Sequence, residues 1–214
     1  MTAATVRSPV AVVTGASRGL GATLARFLAL ERYRVILTAR GADPLEAEVV
    51  ELQAGGLAVE SSVGSVVDPA HREALARRVG ELGGLDLLVN NASELGPSPL
   101  PRLAAADLVD LRTVLEVNLV APLALVQGLI ESLTRRRGMI VNISSDTAVG
   151  GYPGWGVYGA SKAALDLGSK TLAEELRGRG VAVVSVDPGD MRTAMHQLAF
   201  PGADISDRPQ PAVT

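Results

Sequence analysis

The sequence predicts an α/β protein: a doubly wound parallel sheet of about six strands with helices on both faces. Three observations predict it. Short β-rich runs alternate with longer helical stretches along the chain, and that alternation implies crossover connections between parallel strands. Several of the β-rich runs are continuously apolar, as in VAVV and LDLLV, which suits strands buried on both faces. The first run leads directly into a glycine-rich segment at a strand-to-helix junction, where sheets of this kind bind ligands.

Taken in order, the strands are Val10–Thr14 (VAVVT), Arg34–Ala39 (RVILTA), Leu57–Ser62, Leu85–Asn90, Met139–Ile143 (MIVNI) and Val181–Val186. Helical stretches lie between them, near Leu20–Leu30, Pro44–Gln53, Pro69–Leu82, Ala104–Leu133 and Trp155–Arg177. Arg135, Arg136 and Arg137 follow the fourth of these, as favourable charges closing a helix C-terminus. Neither a linker nor an internal repeat interrupts the pattern, so residues 1–214 read as one domain, with 1–8 as an N-terminal arm. Proline and glycine thicken only after Asp187, and residues 190–214 read as an irregular loop and tail.

Composition narrows the function classes. The chain has 214 residues, 47% of them apolar, enough for one substantial core. A net charge of −3 provides no electrostatic footprint for nucleic acid. The absence of cysteine excludes disulfides and thiol catalysis and fits a reducing cytoplasm. The N-terminus lacks the charged start and apolar core of a secretory signal. The longest apolar candidate, around Leu119–Ile130, is interrupted by Pro122 and Gln127, so no membrane span is expected. His71 and His196 have no partners at metal-ligand spacing, and no metal is assigned. His71 is expected on a helix face; His196 lies in the substrate-loop region, where it could touch a ligand, but is expected as a mobile surface residue.

Two segments carry chemistry. TGASRGLG, Thr14–Gly21, places Gly15, Gly19 and Gly21 where strand gives way to helix. Glycine there permits a tight turn and lets the backbone approach a pyrophosphate at the helix N-terminus. The second strand ends in Arg40, with no acid before Asp43, and Arg18 lies within the glycine turn. Guanidinium groups suit a 2′-phosphate, whereas a carboxylate would suit a free 2′-hydroxyl; NADP(H) is therefore expected over NAD(H). The other segment is YGASKAAL. Tyr158 and Lys162 fall at i and i+4, on one helix face, and Lys162 is one of only two lysines against eighteen arginines. An adjacent ammonium would favour the phenolate and make the phenol usable in proton transfer.

TGASRGLG, NNAS at Asn90–Ser93, Asn118, Ser145, Tyr158-Gly-Ala-Ser-Lys162 and PGDMRT at Pro188–Thr193 stand in this order. From about Pro9 to Thr193 the chain resembles the compact, single-domain branch of the short-chain dehydrogenases/reductases (SDR), which carry a Rossmann fold. The resemblance implies an oxidoreductase that interconverts a carbonyl compound and its alcohol. It implies Tyr158 as general acid or base, and Lys162 as the group that lowers the tyrosine pKa and holds the nicotinamide ribose. Ser145, with Ser144 as its rival, would hold the substrate oxygen, and Asn118 would anchor a water of the proton relay. The implied cofactor contacts are Gly15, Ser17, Arg18, Gly19, Leu20, Gly21, Arg40, Ser65, Asn91, Ala92, Tyr158, Lys162, Pro188, Gly189 and Thr193.

The chain also departs from the family pattern. Ser93 stands where the family usually has glycine, and Ser65 where an aspartate commonly holds the adenine. Family members usually continue for another helix and a seventh strand, so the C-terminal strand is expected to be missing. A homodimer or homotetramer is expected, through Ala104–Leu133 and Trp155–Arg177. Leu95, Tyr152, Trp155, Met191, Met195 and Leu198 would give an apolar lining suited to a hydrophobic small-molecule substrate. The alternative is a cofactor-binding or regulatory protein without turnover. A sugar epimerase or dehydratase of the extended branch fits poorly, since that branch shows G-x-x-G-x-x-G and a larger C-terminal region.

Overall fold

The computed structural model describes residues 7–211; the first six residues of the expected N-terminal arm and the last three of the tail lie outside the described residues. Six parallel strands form one sheet: β1 (Val10–Thr14), β2 (Arg34–Ala39), β3 (Val59–Val63), β4 (Leu87–Asn90), β5 (Met139–Ile143) and β6 (Ala182–Val186). Their order is β3-β2-β1-β4-β5-β6. The order reverses between β1 and β4, and the C-terminal ends of those two strands open the crevice that such a reversal creates.

Alternation along β1 assigns the two faces. Val10 and Val12 join a core cluster with Leu75 of α3 (Pro69–Glu81) and with Leu125, Leu129 and Leu133 of α5 (Ala121–Arg136). Ala11 and Val13 face Ala25 and Leu28 of α1 (Gly19–Leu30), and Leu45 and Val49 of α2 (Ala42–Ala54). Local chemistry starts the helices: Asp68 accepts a hydrogen bond from Ala70 N at 3.0 Å before Pro69 opens α3, an N-cap followed by proline at the first turn. Along the α1/α2 face, Met139, Val184 and Val186 stay partly exposed, because α1 and α2 pack against the other half of the sheet.

The stretch expected as one helix over Ala104–Leu133 is built differently. A short 3₁₀ turn (Leu103–Ala105) precedes α4 (Leu108–Leu115), which Asp107 caps through Val109 N at 2.7 Å. A π turn, Glu116–Val120, then joins α4 to α5, which runs to Arg136 and ends on Arg137 in the left-handed conformation. No membrane span is expected from the sequence, and Leu108–Arg136 nonetheless forms a continuous helical run of 29 residues with mean hydropathy 1.7. It passes by length and composition, but α5 contributes Leu125, Leu129 and Leu133 to the sheet-facing core, the burial of a core helix. The last long helix, α6, spans Gly156–Leu176, and a short α7 spans Ala194–Ala199.

Candidate active site

The glycine turn is held by strand ends. Thr14 Oγ1 accepts from the backbone N–H groups of Asn91 and Ala92, each at 2.9 Å. Asn91 Nδ2 donates back to Thr14 O at 2.9 Å and Gly15 O at 3.2 Å. Asn91, expected along the cofactor, pins the turn through its side-chain amide. Gly15 and Gly19 have φ of +66° and +59°, open to glycine at little steric cost. A Cβ on Gly21 would lie 2.3 Å from Gly15 O, so only glycine fits there. No side chain caps α1 and no acid lies in its first turn, which leaves its N-terminal amides directed at the turn. This cradle fits the pyrophosphate of a dinucleotide.

Around it, Ser17 and Leu20 are half-buried and Arg18 is exposed. Arg40 closes β2 with its side chain 70% exposed and Nη2 3.7 Å from Glu94 Oε2. Ser65 follows β3 and accepts from Asp68 N through its carbonyl at 3.0 Å. Pro188 and Gly189 follow β6, with Gly189 N donating to Asp187 Oδ1 at 3.0 Å. Thr193 crosses above the glycine turn: its Cγ2 would lie 3.6 Å from a Cβ on Gly19.

Tyr158 and Lys162 project from the first turns of α6 and are both buried. Lys162 Nζ donates to Ile143 O at 2.7 Å and sits 5.4 Å from the Tyr158 ring centroid. Burial pushes the Lys162 ammonium down to about 8, partly opposed by Asp166. The expectation that Lys162 lowers the tyrosine does not describe the bare protein. Burial pushes the Tyr158 phenol up, the Ser93 hydroxyl opposes it, and Asp187 and Asp146 add to the rise. Burial disfavours the charged phenolate relative to the neutral phenol.

Ser145 follows β5 and caps a 3₁₀ turn, Asp146–Ala148. Its Oγ accepts from Thr147 N at 3.2 Å and Thr147 Oγ1 at 3.0 Å, and donates to Asp146 Oδ1 at 3.0 Å. Ser144 is more buried, and its Oγ has no partner among the described residues. Gly159 brings the two segments together. A Cβ there would lie 2.6 Å from Thr147 O, so glycine lets α6 approach the loop that carries Ser145.

Asn118 lies within the π turn and is 1% exposed. Its Oδ1 accepts from Glu94 N at 2.7 Å and Ser93 Oγ at 3.2 Å; its Nδ2 donates to Glu94 O at 2.8 Å and Ser161 Oγ at 2.9 Å. The amide is therefore fully engaged, clamping the loop after β4 to α6. π turns of this kind recur at functional sites.

Of the expected apolar lining, Trp155 stands beside Tyr158, ring centroids 5.8 Å apart. Leu95 is buried, and Leu198 is exposed. Tyr152 folds back onto Gly150, where a Cβ would lie 2.6 Å from its ring. Phe200, absent from the expected lining, packs on Trp155 at 5.9 Å. His71 does lie on a helix, but buried, with its Nε2 2.8 Å from Thr38 Oγ1. His196 is not the surface residue expected: its side chain is 10% exposed.

The chain is similar to three kinds of protein. A serine 3-dehydrogenase of Agrobacterium fabrum is 37% identical over 184 residues, covering 85% of this chain and 72% of that protein. A 3-oxoacyl-(acyl-carrier-protein) reductase of Staphylococcus epidermidis is 35% identical over 194 residues, covering 86% and 78%. A metagenomic short-chain oxidoreductase solved in complex with NADP superposes with a TM-score of 0.79 at 35% identity, covering 90% of this chain and 87% of that one. The family model described as short chain dehydrogenase matches residues 9–203, and the chain belongs to that family of nicotinamide-dependent oxidoreductases.

Proposed function

We propose that this protein is an NADP(H)-dependent carbonyl reductase, with Tyr158 as the proton donor to the substrate oxygen. The observation that carries the reading is the buried pairing of Tyr158 and Lys162 at the C-terminal end of the sheet, facing the loop of Ser145. When bound, the nicotinamide supplies the hydride for reduction or accepts it in the reverse direction. Tyr158 stays protonated at neutral pH, because burial raises it, and so holds the proton that a developing alkoxide needs. The Lys162 ammonium stabilises the phenolate left behind. Ser145 orients the carbonyl oxygen, and Asn118 keeps the loop after β4 against α6.

NADP(H) is favoured over NAD(H) by Arg40 just after β2 and Arg18 at the N-cap of α1, with Asp43 in the first turn of α2 the nearest acid following Arg40. Trp155 and Phe200 favour an apolar substrate. Exposed Leu108, Val109, Val120 and Leu167 on α4, the π turn and α6 suit pairing with a second copy. The cysteine-free composition suits a reducing cytoplasm. Residues 1–214 are read as one nucleotide-binding domain, with 190–214 as its substrate loop and tail.

The test is NADPH oxidation with a panel of ketones, alongside cofactor binding by fluorescence. Tyr158→Phe should lower kcat by roughly 100- to 10,000-fold while NADPH still binds. An unchanged rate in that variant, or binding without turnover by the wild type, would refute the reading; the latter would favour a cofactor-binding protein.

A further inference from the structure

Ser93 stands where the family usually has glycine, so this chain carries a hydroxyl at a position that commonly has no side chain. The residue is half-buried in the loop after β4. Its Oγ donates to Asn118 Oδ1 at 3.2 Å. The same amide oxygen accepts a shorter bond from Glu94 N at 2.7 Å, so it stays paired if the Ser93 hydrogen turns away. Asn118 is fixed from its other end as well. Its Nδ2 donates to Ser161 Oγ at 2.9 Å, and Ser161 Oγ donates to Tyr158 O at 2.6 Å. The serine is thereby held beside the turn of α6 that carries Tyr158.

The Ser93 hydroxyl also hydrogen-bonds the Tyr158 phenol, and it favours the ionised form against burial. The other groups around the phenol do not do this. Lys162, on α6, donates to Ile143 O and stands 5.4 Å from the ring centroid. Asp146 after β5 and Asp187 after β6 both disfavour a phenolate. Ser145 donates its hydrogen to Asp146 Oδ1. A serine hydroxyl has one hydrogen and rotates it to suit its acceptors. Ser93 has two acceptors in view: an amide oxygen that is already paired, and the oxygen of the proton donor.

We propose that Ser93 is a further catalytic residue, whose hydroxyl turns its hydrogen from Asn118 Oδ1 to the Tyr158 oxygen as that oxygen gives up its proton. When Tyr158 protonates the substrate oxygen, the phenol O–H bond breaks, the alcohol O–H bond forms, and a phenolate is left. Ser93 keeps its own proton throughout and only redirects it. A neutral hydrogen bond to an amide is exchanged for a charge-assisted one, which is the stronger. In the reverse direction the phenolate takes the proton of the alcohol and the hydroxyl turns back. The new bond strengthens only as charge develops on the phenol, so it acts on the rate and not on substrate binding. This assignment rests on the reductase reading above and extends it.

The experiment uses Ser93→Gly, which restores the residue usual in the family, Ser93→Ala, and Ser93→Thr, which keeps a hydroxyl. With ketones and NADPH, kcat should fall about tenfold in the glycine and alanine variants, with KM for the ketone and NADPH affinity little changed. A purely structural role would not move the pH dependence. Alcohol oxidation with NADP+ should reach half its maximum about half to one pH unit higher in both variants, and Ser93→Thr should stay near wild type. A second readout needs no cofactor. The chain has three tyrosines; with each labelled at 13Cζ, the Tyr158 resonance is identified by its loss in Tyr158→Phe. That resonance should begin to titrate at lower pH in wild type than in Ser93→Gly. An oxidation profile unmoved in both variants, or a Tyr158 resonance that titrates alike with and without the hydroxyl, overturns the inference while the reductase reading stands. If wild type neither reduces a ketone nor oxidises an alcohol, the reductase reading falls and takes this inference with it.

Discussion

The Lys162 ammonium is bound to the main-chain oxygen of Ile143, 2.7 Å away, so the last residue of β5 holds a cation that rises from α6. A helix and a strand meet there through a buried charge. The arrangement positions the ammonium beside the Tyr158 ring at the expense of desolvating it, and Lys162 is pushed down to about 8.

That cost is measurable. The folded lysine value lies below the ordinary 10.5. The penalty is therefore complete below about pH 8 and is relieved as pH rises from there towards 10.5, where the unfolded chain holds more protons. Lys162→Met should be more stable than wild type at pH 7 by about 1–2 kcal/mol, with the advantage shrinking through that window. Thermal unfolding at several pH values checks both the sign and the window. The same variant should lose carbonyl reduction, and wild-type activity should decline as pH rises past about 8.

Asn118 satisfies donors and acceptors on two other segments at once. Asn118→Ala leaves Glu94 N and its carbonyl without these partners and should cost about 2–3 kcal/mol. Ser161→Ala should cost less. The double variant should fall short of the sum by at least about 0.5 kcal/mol, as urea unfolding would show.

Two glycines should respond in opposite ways to alanine. At Gly21 the new methyl would meet Gly15 O at 2.3 Å and Asn91 Nδ2 at 2.5 Å, so the turn must open; NADPH affinity should drop more than tenfold and stability by about 1–3 kcal/mol. At Gly128, in the interior of α5, a Cβ meets nothing within 4 Å. Gly128→Ala should stabilise by about 0.5–1 kcal/mol. Cofactor titration and calorimetry separate the two.

Cofactor choice should turn on Arg40. Arg40→Asp is expected to lower the NADPH/NADH ratio of kcat/KM at least tenfold. Glu94→Gln frees the guanidinium from its acidic neighbour and should tighten NADPH modestly. It should change stability by less than about 0.5 kcal/mol, as an exposed ion pair contributes little.

Much of the fold was legible because its signals are local. β1, β2 and β5 begin and end where their apolar runs do, and the i, i+4 spacing of Tyr158 and Lys162 is a property of any helix. The long stretch before β5 was less legible. Its apolar pattern persists through the π turn at Glu116–Val120, and nothing in that pattern marks the extra residue per turn. The hydrogen bonds of the Asn91 side chain were not legible for a related reason. Its partners, Thr14 and Gly15, lie 77 and 76 positions away.

By itself, then, the sequence determined the alternation of strand and helix, the glycine turn at the first junction, and the shared face of the phenol and the ammonium. Each follows from neighbouring residues and the geometry of a single element. Only the tertiary structure decided that Gly159 lets α6 close on the Ser145 loop, that the Asn118 amide is a clamp, that burial raises Tyr158, and that the His196 side chain is nine-tenths buried. These depend on how distant segments pack and how much water they exclude, and desolvation and contact geometry exist only once the chain has folded.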